Sequence, residues 1–225
     1  IHFEECSLHN KWSKRYIKEI TSFTSWNFIG CTADLLKDQG INILLNITFG
    51  PIINAARGIA YTVNRAVIGF ASNFMTALSP QITKNYASGD REYTFSLVER
   101  GARFCFYIMF ILSLPLWLET DTILTLWLKQ YPDHTVNFVR LVLVLSLSEI
   151  LSSTLMYLQL ATGKIRNYQL IIGSITLLNF PFSYATLKLG CPPESPLVIA
   201  IVISTLCMMI RLVLLKRTAG LSIRS

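Results

Sequence analysis

Charge is scarce in this sequence. Only 15% of its 225 residues are Asp, Glu, Lys or Arg, against roughly a quarter in an ordinary soluble domain, so there are too few charged groups to cover a water-facing globule. Apolar residues make up 52% and the mean hydropathy is +0.47, which excludes a disordered tail, a collagen-like rod and a polar repeat array. Cysteine is limited to Cys6, Cys31, Cys105, Cys191 and Cys207. That set is odd in number and contains no CxxC, so neither a disulfide framework nor a zinc site is indicated. No HExxH, GxSxG or P-loop pattern occurs, and His2, His9 and His134 fall outside the apolar stretches. A metalloprotease, a serine hydrolase or an ATPase is therefore not expected, and the chain does not read as an enzyme. The first residues, IHFEECSLHNKWSKR, lack both an initiator Met and the apolar core of a secretory signal, which reads as a fragment or a processed chain.

What the sequence does have is long apolar runs. A membrane helix needs about 20 mainly apolar residues, and six stretches of that size emerge, over about 20–46, 53–82, 95–118, 136–161, 168–187 and 196–215. Turn-forming residues separate them: Phe49-Gly50-Pro51, Ala87-Ser88-Gly89-Asp90, Thr162-Gly163-Lys164 and Gly190-Cys191-Pro192-Pro193. The expected fold is all-α and polytopic. A polar segment (1–16) precedes a six-helix membrane unit (17–218) and a short tail (219–225).

Basic residues sort to one side of that arrangement. Lys11, Lys14, Arg15 and Lys18 precede the first run. Lys84, Arg91, Arg100 and Arg103 flank the second loop, Lys164 and Arg166 the fourth, and Arg211, Lys216, Arg217 and Arg224 the tail. The opposite connectors hold Lys129 and Lys188 beside Glu119, Asp121, Asp133 and Glu194. The positive-inside rule then makes both ends cytoplasmic. The same sorting accounts for the net charge of +7 through contact with anionic lipid headgroups, without a nucleic-acid partner.

Ionisable residues inside the runs are costly, at about 2.5–3.5 kcal/mol each at a span's centre, so they should face other helices or a water-filled cavity. Helical spacing gathers Asp34, Lys37, Asp38 and Ile41 on one face of the first run. It gathers Arg57, Tyr61, Asn64, Arg65, Ile68 and Ser72 on the second, and Glu149, Ser152, Ser153, Met156 and Tyr157 on the fourth. Asp34, Arg65 and Glu149 each fall near the middle of a run, which places them at similar depth. Two readings are open: buried ion pairs that fix helix packing, or the lining of an aqueous cavity for a charged substrate or coupling ion. Arg140 is turned away from Glu149 and is expected to snorkel to the outer interface. Pro181 is expected to kink the fifth run.

Several junctions resemble those of bacterial polysaccharide flippases. Asp38-Gln39-Gly40-Ile41-Asn42-Ile43-Leu44-Leu45-Asn46, then Phe49-Gly50-Pro51 and Ala55-Ala56-Arg57-Gly58-Ile59-Ala60-Tyr61, is similar to an acid, apolar run, F-G-P and G-I-A pattern of that family. Ser79-Pro80-Gln81-Ile82-Thr83-Lys84, Tyr86-Ala87-Ser88-Gly89-Asp90 and Leu160-Ala161-Thr162-Gly163-Lys164 extend the likeness. The chain thus resembles the Wzx-like branch of the MATE-like superfamily, and specifically the carboxy-terminal lobe of its two six-helix lobes.

The resemblance implies alternating-access export of a lipid-linked oligosaccharide, carried on polyprenyl pyrophosphate, across the bacterial inner membrane. Its partners would be membrane lipids, the amino-terminal lobe and polysaccharide assembly proteins. Arg57 and Arg65 would contact the pyrophosphate, and Tyr61, Asn64 and Ser72 the sugar hydroxyls. Asp34, Asp38 and Glu149, with Lys37 among them, would form ion pairs or couple transport to Na⁺ or H⁺. No other cofactor is implied. The alternatives are a multidrug or cation antiporter of the same fold, whose cavity should be acidic and aromatic, and a structural membrane subunit.

Overall fold

The computed structural model describes residues 14–163 and 165–218; Lys164, most of the expected amino-terminal segment and the 219–225 tail lie outside the described residues. Among the described residues all regular structure is helical. The eight helices are α1 (Lys14–Phe49), α2 (Pro51–Ala87), α3 (Arg91–Leu118), α4 (Thr120–Leu128), α5 (Thr135–Ala161), α6 (Arg166–Leu177), α7 (Asn179–Lys188) and α8 (Ser195–Thr218).

Local chemistry explains the breaks. Gly50 turns the chain between α1 and α2 at φ 84°, a left-handed conformation that glycine adopts without a Cβ penalty. Pro51 then opens α2, where its missing N–H costs nothing. Asp90 caps α3 by accepting a hydrogen bond from the Tyr93 amide at 3.0 Å. The fifth run divides into α6 and α7 just before Pro181, which has no N–H for the Leu177 carbonyl and crowds it with its ring. One connector differs from the expectation: residues 119–135 are not all loop but contain α4. Its run Ile123-Leu124 and Leu126-Trp127-Leu128 is apolar, and Leu124 is buried.

Four helical stretches are long and apolar enough to cross a membrane: α3, α5, the α6–α7 pair and α8. Helices α1 and α2 have ample length, at 36 and 37 residues, but carry Asp34, Lys37, Asp38, Arg57 and Arg65 along it. Their polarity keeps them out of that set.

Packing divides the helices into two groups. Helices α2, α3 and α5 associate around the main core. There the small residues Ala56, Ala60 and Ala71 on α2 meet Cys105, Met109, Phe138, Val142 and Leu143, and small side chains let helix backbones approach closely. Helix α1 instead lies chiefly on α6, with smaller and similar contacts to α2 and α7. Gly40 makes this approach possible, since a Cβ there would meet the Phe180 ring at 2.8 Å. Helix α8 bridges the groups by packing on α5, α6 and α7. The seam between the groups is where the polar stripes converge.

Candidate functional site

The seam encloses a cavity of about 400 Å³ walled by α1, α2, α5, the α6–α7 break and α8. Asp34, Lys37 and Asp38 face it from α1, Arg57, Tyr61 and Asn64 from α2, and Glu149, Ser152 and Ser153 from α5. These are the residues that helical spacing grouped in the sequence, and the fold turns three separate stripes toward one space. At about 1.5 Å per residue, Asp34, Glu149 and Arg211 each lie roughly 20–25 Å along their helices from the end that holds Phe49, Thr135 and Ser195. The charges thus form a layer at one level along the helices, in a cavity open enough that the Asp34 and Asp38 side chains are 65% and 49% exposed.

On α1 the ammonium of Lys37 lies between two carboxylates, 3.9 Å from Asp34 and 3.6 Å from Asp38. Asp34, Asp38 and Glu149 all act electrostatically on Lys37, and Arg211 acts on Asp34 and Glu149. The Glu149 side chain faces the open space. This layer therefore holds three carboxylates against two cations.

Arg57 has a different setting, nearer the Phe49 end. It is 5% exposed and bonds to the Asn42 side-chain oxygen, with a longer contact to the Tyr61 hydroxyl at 3.4 Å. Its guanidinium also lies over the Tyr61 ring, 4.7 Å from the centroid. Asn54 donates to the Asn42 backbone carbonyl at 3.2 Å, so this polar group joins α1 to α2. No carboxylate among the described residues lies within ion-pair distance of Arg57. Its Nε, and the side-chain oxygen of Asn64, are buried without a hydrogen-bond partner in the protein. A donor carrying full charge and a neutral acceptor are thus left unpaired in the wall of one cavity.

Arg65 and Ser72 do not join them. Both are exposed and neither lines the cavity; the Ser72 hydroxyl donates to the Gly69 carbonyl at 3.1 Å. At 100° per residue Arg65 sits about 80° around the helix from Arg57, at the margin of the stripe, and the cavity takes only its centre. Tyr157, equally offset from Glu149, is likewise turned away, into apolar packing with Leu78 and Leu158. Arg140 bonds through Nε to the Trp117 carbonyl at 3.2 Å and lies over that indole.

Two contributors escaped the sequence reading. Arg211 reads as a cytoplasmic tail residue, yet it lines the cavity and donates to the Ser152 hydroxyl at 2.6 Å. The signal was a stripe of Ala200, Ser204, Cys207 and Arg211 at steps of three and four. Asn42, the acceptor for Arg57, lies one turn beyond Asp38 on the α1 stripe.

Toward the end that holds Phe49, Thr135 and Ser195 the cavity is lined by Pro193, Pro196 and Leu197. Beside them Glu194 is 8% exposed and bonds His134 Nδ1 at 2.7 Å and the Asn137 amide at 3.1 Å. Burial alone pushes its carboxyl up, but those two hydrogen bonds and its own backbone amide outweigh it and hold the group below its ordinary value.

No family model, curated protein or solved structure matches this chain. The case for its class therefore rests on its own residues: an all-helical protein with four helices able to span a membrane and a charged cavity between its helices.

Proposed function

We propose that this chain is one six-helix lobe of a membrane transporter that moves a lipid-linked oligosaccharide across the bacterial inner membrane by alternating access. In this reading α1 and α2 cross the membrane together with the four apolar stretches, and their charged stripes face the cavity, not lipid. Both ends of the chain are cytoplasmic, and the amino-terminal lobe completes the transporter.

The observation that carries the reading is Arg57. A guanidinium that is 5% exposed, has no carboxylate partner among the described residues and keeps an unpaired Nε suits an anionic ligand such as a pyrophosphate, because charge-assisted bonds are strongest away from water. Asn64 and Tyr61 beside it suit sugar hydroxyls. The layer of Asp34, Lys37, Asp38, Glu149 and Arg211 suits a coupling H⁺ or Na⁺, since binding one positive charge balances its three carboxylates against two cations.

That same carboxylate excess favours a second reading, exchange of a cationic drug for H⁺ or Na⁺. Reconstitution of the full-length transporter into vesicles separates the two. Movement of a fluorescent polyprenyl-pyrophosphate oligosaccharide that Arg57→Gln abolishes supports the flippase. Cation-driven ion exchange that survives Arg57→Gln but not Glu149→Gln supports the antiporter. Neither activity, with intact assembly, leaves a structural subunit.

A further inference from the structure

His134 occupies a conformation that non-glycine residues rarely adopt, with φ 69°. It is the residue before α5, and its carbonyl accepts the first bond of that helix from the Phe138 amide at 2.9 Å. A side chain held there needs an external tie to offset the backbone cost. The tie is Glu194, sixty residues later, directly before α8. Its carboxylate is 2.7 Å from His134 Nδ1 and also accepts from Asn137 on the first turn of α5. The imidazole is 40% exposed while the carboxylate is 10% exposed, so one partner is reachable from water and the other is sealed in.

The location of this pair gives it a consequence for the cavity. Glu194 stands between Pro193 and Ser195, and Pro193, Pro196 and Leu197 form the cavity wall at this end. Three prolines at 192, 193 and 196 stiffen the segment. The Gly190 turn before it, at φ 81°, supplies freedom on its other side. The segment is also held to the end of α7, by the Cys191 amide donating to the Thr186 carbonyl at 3.1 Å and the Thr186 hydroxyl donating to Ser195 Oγ at 3.5 Å, so Glu194 is what ties it to the start of α5.

We infer that residues 190–196 form a lid over this end of the cavity, and that the His134–Glu194 pair, with Asn137, is the latch that keeps it shut. The inference concerns access to the cavity and does not rest on the identity of the transported molecule.

Cys207 reports on the lid, because it lines the cavity and is 4% exposed. The experiment uses the full-length protein in membranes, with its other cysteines replaced by Ala. It follows modification of Cys207 by a membrane-impermeant thiol reagent applied from the His134 side. The parent is expected to react slowly, and Glu194→Gln and His134→Ala about tenfold faster, the scale of a lost charge-assisted hydrogen bond. Asn137→Ala should give a smaller gain, and the exchange of His134 and Glu194 for one another should slow the reaction again. A parallel protein retaining only Cys105, which is fully buried in the main core, must stay unreactive in every variant, which separates opening of the lid from unfolding. Should Glu194→Gln fail to reach the membrane, His134→Ala, at the water-facing partner, carries the comparison. Equal Cys207 rates in parent and latch variants would overturn the inference, as would reaction from the opposite side alone.

Discussion

Arg211 on α8 reaches across to α5 and donates to both the hydroxyl of Ser152, at 2.6 Å, and its backbone carbonyl, at 3.3 Å. The guanidinium also faces the Tyr168 ring at 5.7 Å, so one side chain ties α8 to α5 and α6. It acts on Asp34 and Glu149 as well. Removing it leaves two cavity carboxylates with less positive charge and Ser152 without its donor. Arg211→Ala is expected to destabilise the protein by about 1–3 kcal/mol, and Ser152→Ala by less. The two should be non-additive, since they share one contact. Thermal unfolding in detergent of both single variants and the double variant measures this; strict additivity would show that the bond contributes nothing.

The two arginines of α2 have opposite expectations. Arg57 is enclosed by Asn42 and Tyr61 at the cavity wall, whereas Arg65 is exposed and outside it. Arg57→Gln should abolish transport of the labelled glycolipid at unchanged protein level. Arg65→Gln should leave transport within about twofold of the parent, as surface substitutions away from a site usually do. An equal loss in both variants would mean that the α2 stripe acts as a whole and that the division at its margin has no functional meaning.

Periodicity made the cavity legible because a side chain's direction on a helix is fixed by its position in the sequence. Asp34, Lys37, Asp38, Arg57, Tyr61, Asn64 and Glu149 were grouped by spacing alone and all face one space. Periodicity does not fix how wide a stripe the neighbouring helices uncover. Arg65 and Ser72 therefore read as members and lie outside. Arg211 was hidden by a competing rule: a basic residue near the end of an apolar run reads as an interfacial anchor, and only its bond to Ser152, fifty-nine residues away in sequence, reveals otherwise. The His134–Glu194 pair was beyond reach for a related reason. Both residues lie in connectors, where no periodicity relates one to the other, and only the antiparallel course of α5 and α7 brings the starts of α5 and α8 together.

Close packing in the α2–α3–α5 group can be tested apart from transport. A Cβ at Gly101 on α3 would run into a methyl of Leu78 on α2 and reach the Thr154 methyl on α5 at 3.8 Å. Gly101→Leu should therefore destabilise by about 1–3 kcal/mol through overpacking. Gly58, where an added Cβ meets nothing, is the control, and Gly58→Ala should be neutral or slightly stabilising through better helix propensity. Thermal unfolding of both variants in the same detergent decides it; equal midpoints would mean that α2 and α3 do not approach each other as closely as described.

Glu194 gives the protein an acid-sensitive joint with a definite sign. Its carboxyl is held below the ordinary value of 4.5, despite burial, by the hydrogen bonds of His134, Asn137 and its own amide. The folded state therefore binds fewer protons at this group than the unfolded chain does as the carboxylate begins to titrate. The stabilisation is fully present above the unfolded value and is lost as pH falls through the lowered folded value. The other acids of this end, Glu119, Asp121 and Asp133, are exposed; Glu119 accepts from the Thr122 hydroxyl and Asp121 from the Tyr131 hydroxyl. In the parent, the unfolding midpoint should fall as the pH is lowered from about 5 to 3, where an ordinary Glu titrates. In Glu194→Gln, which cannot ionise, the midpoint should start lower and fall less over the same interval. Thermal unfolding of both proteins across that pH series checks the prediction, and parallel curves would mean that the Glu194 bonds make no net contribution to the folded state.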